Sequence, residues 1–79
     1  MATEQTEDIP IADEMIRLGQ LLKLAGLVED GASARMLLAD DAVQVNNETE
    51  TRRGRQLHPG DVLEIDLPTG LRRLQVTRG

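Results

Sequence analysis

The feature that most constrains the fold is a pair of adjacent asparagines between two short strand-like segments. The segment Val43–Val45 alternates apolar and polar residues, as a half-buried strand does, and Asn46-Asn47 follows at once. Asparagine is the non-glycine residue that best tolerates the positive φ of a type I′ turn. The sequence therefore predicts a β-hairpin whose second arm covers residues 48–51.

Three arginines crowd the segment after this hairpin. Arg52, Arg53 and Arg55 surround Gly54, a residue that lets the backbone bend freely. Guanidinium groups this close repel one another, so we expect water or an anion to lie against them. The cluster is the densest basic patch of the chain, and it fits either a binding surface or a solvated loop without a partner.

Two short helices are predicted before the hairpin and two strands after it. Apolar residues recur at the spacing of one helix face over residues 18–25, and Gly26 is placed to end that helix. Asp30 is a suitable N-cap for a second helix from residue 31 or 32. Pro59-Gly60 predicts a type II turn, and the residues beyond it alternate as two strands, 62–66 and 71–77. This order predicts an α+β fold with a small, mainly antiparallel sheet.

Composition narrows the class of protein. A chain of 79 residues forms one domain with a thin core, which must be aliphatic because there is no Phe, Tyr or Trp. The lack of aromatic residues also removes the stacking platforms of single-strand binders and of sheet-type RNA readers. Without cysteine there is no disulfide framework. No leader segment or run of 18 apolar residues is present, so we expect a cytoplasmic protein without membrane contact.

The negative charge of the chain is concentrated at its amino terminus. The net charge is −5, and residues 1–14 contain five acidic residues and no basic one, which leaves nine of each in residues 15–79. We predict that residues 1–14 form an acidic, disordered tail and that residues 15–79 form the folded domain. Within the tail, Ile9-Pro10-Ile11 could also form a short edge strand, where proline is tolerated.

Four segments, taken in order, resemble the RNA-binding domain named after the fourth small-subunit ribosomal protein, called the S-four type below. They are RLGQLLKLAGL (residues 17–27), SAR (33–35), VQVNN (43–47) and PGDV (59–62). The similarity covers residues 15–76 and is greatest to stand-alone bacterial members, which also carry the Lys-Leu-Ala-Gly and Arg-Arg-Gly-Arg segments. The resemblance implies the αL motif, in which two helices pack on a β-hairpin and a small sheet.

The resemblance also implies an RNA-facing surface of polar and basic side chains on the helices, strands and loop. The matching positions are Arg17, Lys23, Arg35, Asn46, Arg52, Arg53 and Arg55. Arginine suits this role because its planar fork can hold a phosphate bidentately and stays charged. Where the family usually has glycine after the second helix and in the hairpin, this chain has Asp41 and Asn47. The pair Asp40-Asp41 would bring negative charge near the expected RNA surface.

The leading functional hypothesis is a non-enzymatic module that grips structured RNA, such as a ribosomal or transfer RNA element on the ribosome or a precursor, through phosphate contacts. The alternative is a protein-interaction module that uses the acidic tail or the arginine loop. A third hypothesis, a ubiquitin-like sulfur carrier, is disfavoured because that chemistry needs a Gly-Gly end and this chain ends Arg78-Gly79. Catalysis, a metal and a cofactor are not indicated, because the single histidine, His58, precedes a proline in a turn and no metal-ligand spacing is present.

Overall fold

Two strands, two helices and then five further strands follow one another along the chain in the computed structural model, which describes residues 6–79. The elements are β1 (Thr6–Ile11), β2 (Ile16–Arg17), α1 (Leu18–Leu24), α2 (Gly31–Ala39), β3 (Val43–Val45), β4 (Glu48–Thr49), β5 (Gln56–Leu57), β6 (Val62–Leu67) and β7 (Gly70–Arg78). Both predicted helices are confirmed, although residues 16 and 17 belong to a strand that precedes α1.

The main sheet has five strands in the order β1-β7-β6-β3-β4. Every neighbouring pair is antiparallel except β1 and β7, which run parallel. The short strands β2 and β5 form a separate antiparallel pair. The fold is therefore α+β with a mainly antiparallel sheet, as the sequence predicted.

The amino-terminal segment corrects the predicted extent of the disordered tail. Strand β1 pairs with β7 in continuous register, and its residue Ile11 is buried. Glu7 lies on the inward-facing side of β1, where it accepts a hydrogen bond of 2.8 Å from Nε of Arg72. This ion pair lets an acidic segment join the sheet, and it also explains why Arg72 shares the face of the apolar residues of β7. Residues 1–5 of the predicted tail lie outside the described residues.

The predicted helix boundaries are explained by local hydrogen bonds. Gly26 has a φ of +77°, and the amide of the next residue, Leu27, donates to the carbonyl of Leu22 at 2.9 Å, which closes α1 in a Schellman motif. At the start of α2, Oδ1 of Asp30 accepts a hydrogen bond of 2.8 Å from the amide of Ser33. Both end signals are confirmed.

Left-handed residues make the turns that the sequence predicted. Asn46 and Asn47 have φ values of 50° and 71°, which confirms the type I′ turn between β3 and β4. Asp41 has a φ of 56°, so it fills the left-handed position that follows α2, where aspartate is tolerated better than most residues. Gly60 has a φ of +102°, and the amide of Asp61 donates to the carbonyl of His58 at 3.0 Å, as in a type II turn.

The core lies between the two helices and the inner face of the sheet, and it is aliphatic throughout. Its most buried side chains are Leu18, Leu21, Leu22, Leu38, Leu57, Leu63, Ile65, Leu74, Val43, Val45 and Val76. Within residues 6–79, every buried side-chain nitrogen or oxygen has a hydrogen-bond partner. No helix in this part of the chain is long and apolar enough to cross a bilayer.

The end of α1 allows a direct test of its capping glycine. Replacing Gly26 with alanine should lower the free energy of unfolding by about 1 kcal/mol, because a side chain is disfavoured at positive φ. No atom lies within 4 Å of the added Cβ, so the cost is conformational and not a steric clash. Gly26→Asn should recover part of the loss, since asparagine tolerates this conformation. Urea unfolding measures both variants, and equal losses for alanine and asparagine would contradict the explanation.

Candidate nucleic-acid interface

A buried carboxylate organises the arginine loop. Glu50, directly after β4, is only 6% exposed and is the one charged residue in the core of the described chain. Its Oε2 accepts hydrogen bonds of 3.0 Å from the amides of Thr51 and Arg52 and from Nε of Arg52. Its Oε1 accepts from Nη1 of Arg55 at 2.9 Å. The anion that the crowded arginines require is therefore supplied by the chain itself.

These contacts keep Glu50 ionised. The side-chain hydrogen bonds from Arg52 lower the pKa of Glu50 to about 2, and Arg55 adds to this effect. Burial acts in the opposite direction, but it is outweighed by the paired guanidiniums. The loop thus has a fixed negative centre at neutral pH, and two of its three arginines neutralise that centre.

The same loop is fastened to the start of α1. The first amide groups of a helix have no partner within it, and here the loop provides carbonyls for them. The amide of Gly19 donates to the carbonyl of Arg53 at 2.9 Å, and the amide of Leu18 donates to the carbonyl of Arg55 at 2.9 Å. Nη1 of Arg17 reaches the carbonyl of Gly54 at 3.4 Å. The loop therefore caps α1, which places Arg53 beside both helices.

An open groove of about 340 Å³ lies between the loop, one side of α1 and the first turn of α2. Its cationic lining consists of Arg17, Lys23 and Arg53, and its one acidic lining residue is Asp30. Three positive charges and one negative charge leave a net charge of +2. The local potential of the groove is thus opposite in sign to the net charge of −5 of the whole chain.

The predicted site residues fall into separate groups. Arg17, Lys23 and Arg53 meet in the groove, whereas Arg52 and Arg55 lie next to it and bind Glu50. Arg35 is exposed on α2, directly after Ala34, which borders the groove, but it does not line the groove itself.

The structure places Asn46 elsewhere, in the turn between β3 and β4. Its Oδ1 accepts a hydrogen bond of 3.0 Å from the amide of Val62, and its Nδ2 donates to Oδ1 of Asp61 at 3.2 Å. The side chain of Asn46 therefore fastens the hairpin to the turn before β6. It is not among the residues that the structure brings together in the groove.

The acidic pair after α2 does not line the groove. Asp41 lies beside Glu64 and Asp66 on the outer face of the sheet. The groove uses the amino end of α2, and a helix of nine residues separates its two ends by about 14 Å. Asp41 therefore lies away from the groove.

Two features of the site were missed from sequence. The first is Glu50, although a signal for it existed, because it is the nearest carboxylate to arginines that require an anion. The second is the pair of glycines, Gly19 and Gly31, that border the groove in the first turns of α1 and α2. Nothing in the local sequence indicates that these glycines face the same side chain. Within residues 6–79, no group of histidine or carboxylate side chains is placed to hold a metal ion.

The fold and the groove together define a small αL-type RNA-binding domain. The family profile of the S4 domain matches residues 9–70 of the chain. The chain is also similar to the probable ribosome maturation protein RlbA of Bacillus subtilis (strain 168), with 50% identity over 58 residues that cover 73% of this chain and 82% of that protein. The chain belongs to the S4 domain family, which confirms the S-four resemblance seen in the sequence.

The role of Glu50 can be tested through the pH dependence of stability. Its pKa is lower in the folded chain than its ordinary value of 4.5, so its stabilising effect is complete above about pH 4.5 and is lost as the pH falls toward 2. Glu50→Gln should lower the free energy of unfolding by about 2 kcal/mol at pH 7, because charge-assisted hydrogen bonds are lost in a buried setting. The difference from wild type should shrink between pH 4.5 and 2.5.

Urea unfolding at pH 7, 4.5, 3.5 and 2.5 measures this difference. Glu48→Gln is the matched control, because Glu48 is exposed on β4 and should show little effect at any of these values. A gap between wild type and Glu50→Gln that is as large at pH 2.5 as at pH 7 would contradict the assignment.

Proposed function

We propose that this chain is a non-enzymatic RNA-binding protein of the cytoplasm that acts on ribosomal RNA during ribosome maturation. Its membership of the S4 domain family and its similarity to a probable ribosome maturation protein support this role. The observation that carries the proposal is the basic groove between the loop and the two helices. Transfer RNA is the second structured RNA that such a groove would accept.

The distribution of ion pairs supports the groove as the RNA contact. Five of the nine basic residues pair with carboxylates, namely Arg52, Arg55, Arg72, Arg73 and Arg78. Among the described residues, Arg17, Lys23, Arg35 and Arg53 have no carboxylate within ion-pair distance, and three of these four line the groove. Cations without an internal partner are the ones available to replace the counterions of a phosphate backbone.

We further propose that recognition is mainly of backbone shape and charge. Phosphate contacts position a protein on nucleic acid but carry little sequence information. The groove has no aromatic side chain on which a base could stack, since the chain contains none. Its cations lie on the short strand before α1, on α1 and on the loop, so their spacing would select RNA whose phosphates converge at a fold or junction.

A salt titration tests this function. Binding of the full chain to ribosomal and transfer RNA fragments should weaken with salt, with a slope of log affinity against log salt of roughly −3 to −5 if four to six phosphates are neutralised. Lys23→Gln combined with Arg53→Gln should make the slope less steep by about two and lower the affinity at least about tenfold.

Each substitution is also measured alone, where it should make the salt slope less steep by about one, and Arg78→Gln is the charge-matched control for Arg53→Gln. Arg78 is 54% exposed at the end of β7 and does not line the groove, so its loss should leave affinity nearly unchanged. Arg52 and Arg55 are left intact because removing them would uncover the buried charge of Glu50. Absence of RNA binding by the full chain at low salt would refute the proposed function.

A further inference from the structure

We propose that Gly31 is a positioning residue that leaves the space in which the guanidinium of Arg53 lies. A Cβ atom at residue 31 would stand 2.7 Å from Nη1 of Arg53, which is closer than such atoms approach in proteins. The clash would be with the far end of a flexible side chain, so the added methyl group would displace the guanidinium and leave the helix intact. This inference rests on the proposed RNA-binding function and specifies how one of its contacts is built.

The backbone does not require glycine at this position. Gly31 is the first residue of α2, and the glycines with positive φ in the described chain are Gly26, Gly60 and Gly70. Alanine is the better helix former in an ordinary helical conformation. A glycine here is therefore explained by the space it leaves, and the atom that uses this space belongs to Arg53.

The backbone of Arg53, at the other end of this residue from its guanidinium, is fixed against α1. Its carbonyl accepts the 2.9 Å hydrogen bond from the amide of Gly19, and its Cβ lies 3.5 Å from the position that a Cβ of Gly19 would occupy. The side chain therefore starts against α1 and ends against α2, with no carboxylate bound to its guanidinium. A fork held in this way loses less conformational entropy when it binds a phosphate. The ligand we assign to it is one backbone phosphate of RNA.

The test is Gly31→Ala, measured for both RNA binding and stability. We expect RNA affinity to fall about fivefold and the salt slope to become less steep by about one, as for the loss of one phosphate contact. We expect the free energy of unfolding to stay the same or rise, because alanine favours the helix. A structural role for Gly31 would instead lower affinity and stability together.

Two comparisons isolate the role of Arg53. In an Arg53→Gln background, Gly31→Ala should cause no further loss of affinity, because the group that it displaces is absent. Ala32→Ser adds one heavy atom at the neighbouring exposed position of α2 and should leave affinity unchanged. An equal loss from Gly31→Ala in both backgrounds, or no loss in either, would overturn the inference while wild-type RNA binding stands.

A measurement without RNA separates this inference from the proposed function. The heteronuclear NOE of the Arg53 Nε–Hε group should indicate an ordered side chain in the wild-type protein and a mobile one in Gly31→Ala. If the wild type binds no RNA but this difference is found, the proposed function fails and the positioning of Arg53 stands. If Arg53 is equally mobile in both proteins, the positioning role fails whatever the RNA result.

Discussion

The arginine loop and its groove depend on the buried carboxylate of Glu50. Burying an ionised carboxylate is unfavourable unless it is paired and hydrogen-bonded, and here two guanidiniums and two backbone amides meet that need. The same contacts fix the path of residues 50–55, so that the carbonyls of Arg53 and Arg55 reach the first amides of α1. The groove exists because the loop is held against the helix, and the loop is held because Glu50 neutralises it.

This arrangement divides three neighbouring arginines between two tasks. Arg52 and Arg55 compensate an internal charge, whereas Arg53 points away from it and into the groove. Asp30 is the one acidic residue of the groove lining, whereas Glu64 lies on the outer face of the sheet and is bound by Arg73. An acidic protein thereby presents a basic surface, which shows why local potential is more informative here than net charge.

Elements with local signals could be predicted from the sequence, and elements that depend on distant contacts could not. Gly26, Asp30 and Asn46-Asn47 act through residues within a few positions of themselves, so their helix ends and turn were predictable. Strand β1 was only partly recognised, because its acidic composition is compensated by Arg72, a residue 65 positions from Glu7. The burial of Glu50 and the meeting of Gly19 and Gly31 around Arg53 likewise depend on how the loop packs against both helices.

The lack of aromatic residues affects the proposed RNA interface as well as the core. A surface that cannot stack bases must rely on charge and shape, and both require that its cations have fixed positions. A long arginine side chain is flexible by itself, so fixed positions require close neighbours on more than one side. The first turns of α1 and α2 provide such neighbours at residues 19 and 31, and at residue 31 the lack of a Cβ atom leaves room for the guanidinium of Arg53. In the proposed interface, Gly31 would position an arginine for a phosphate, a role comparable to that of an aromatic side chain that positions a base in other RNA-binding folds.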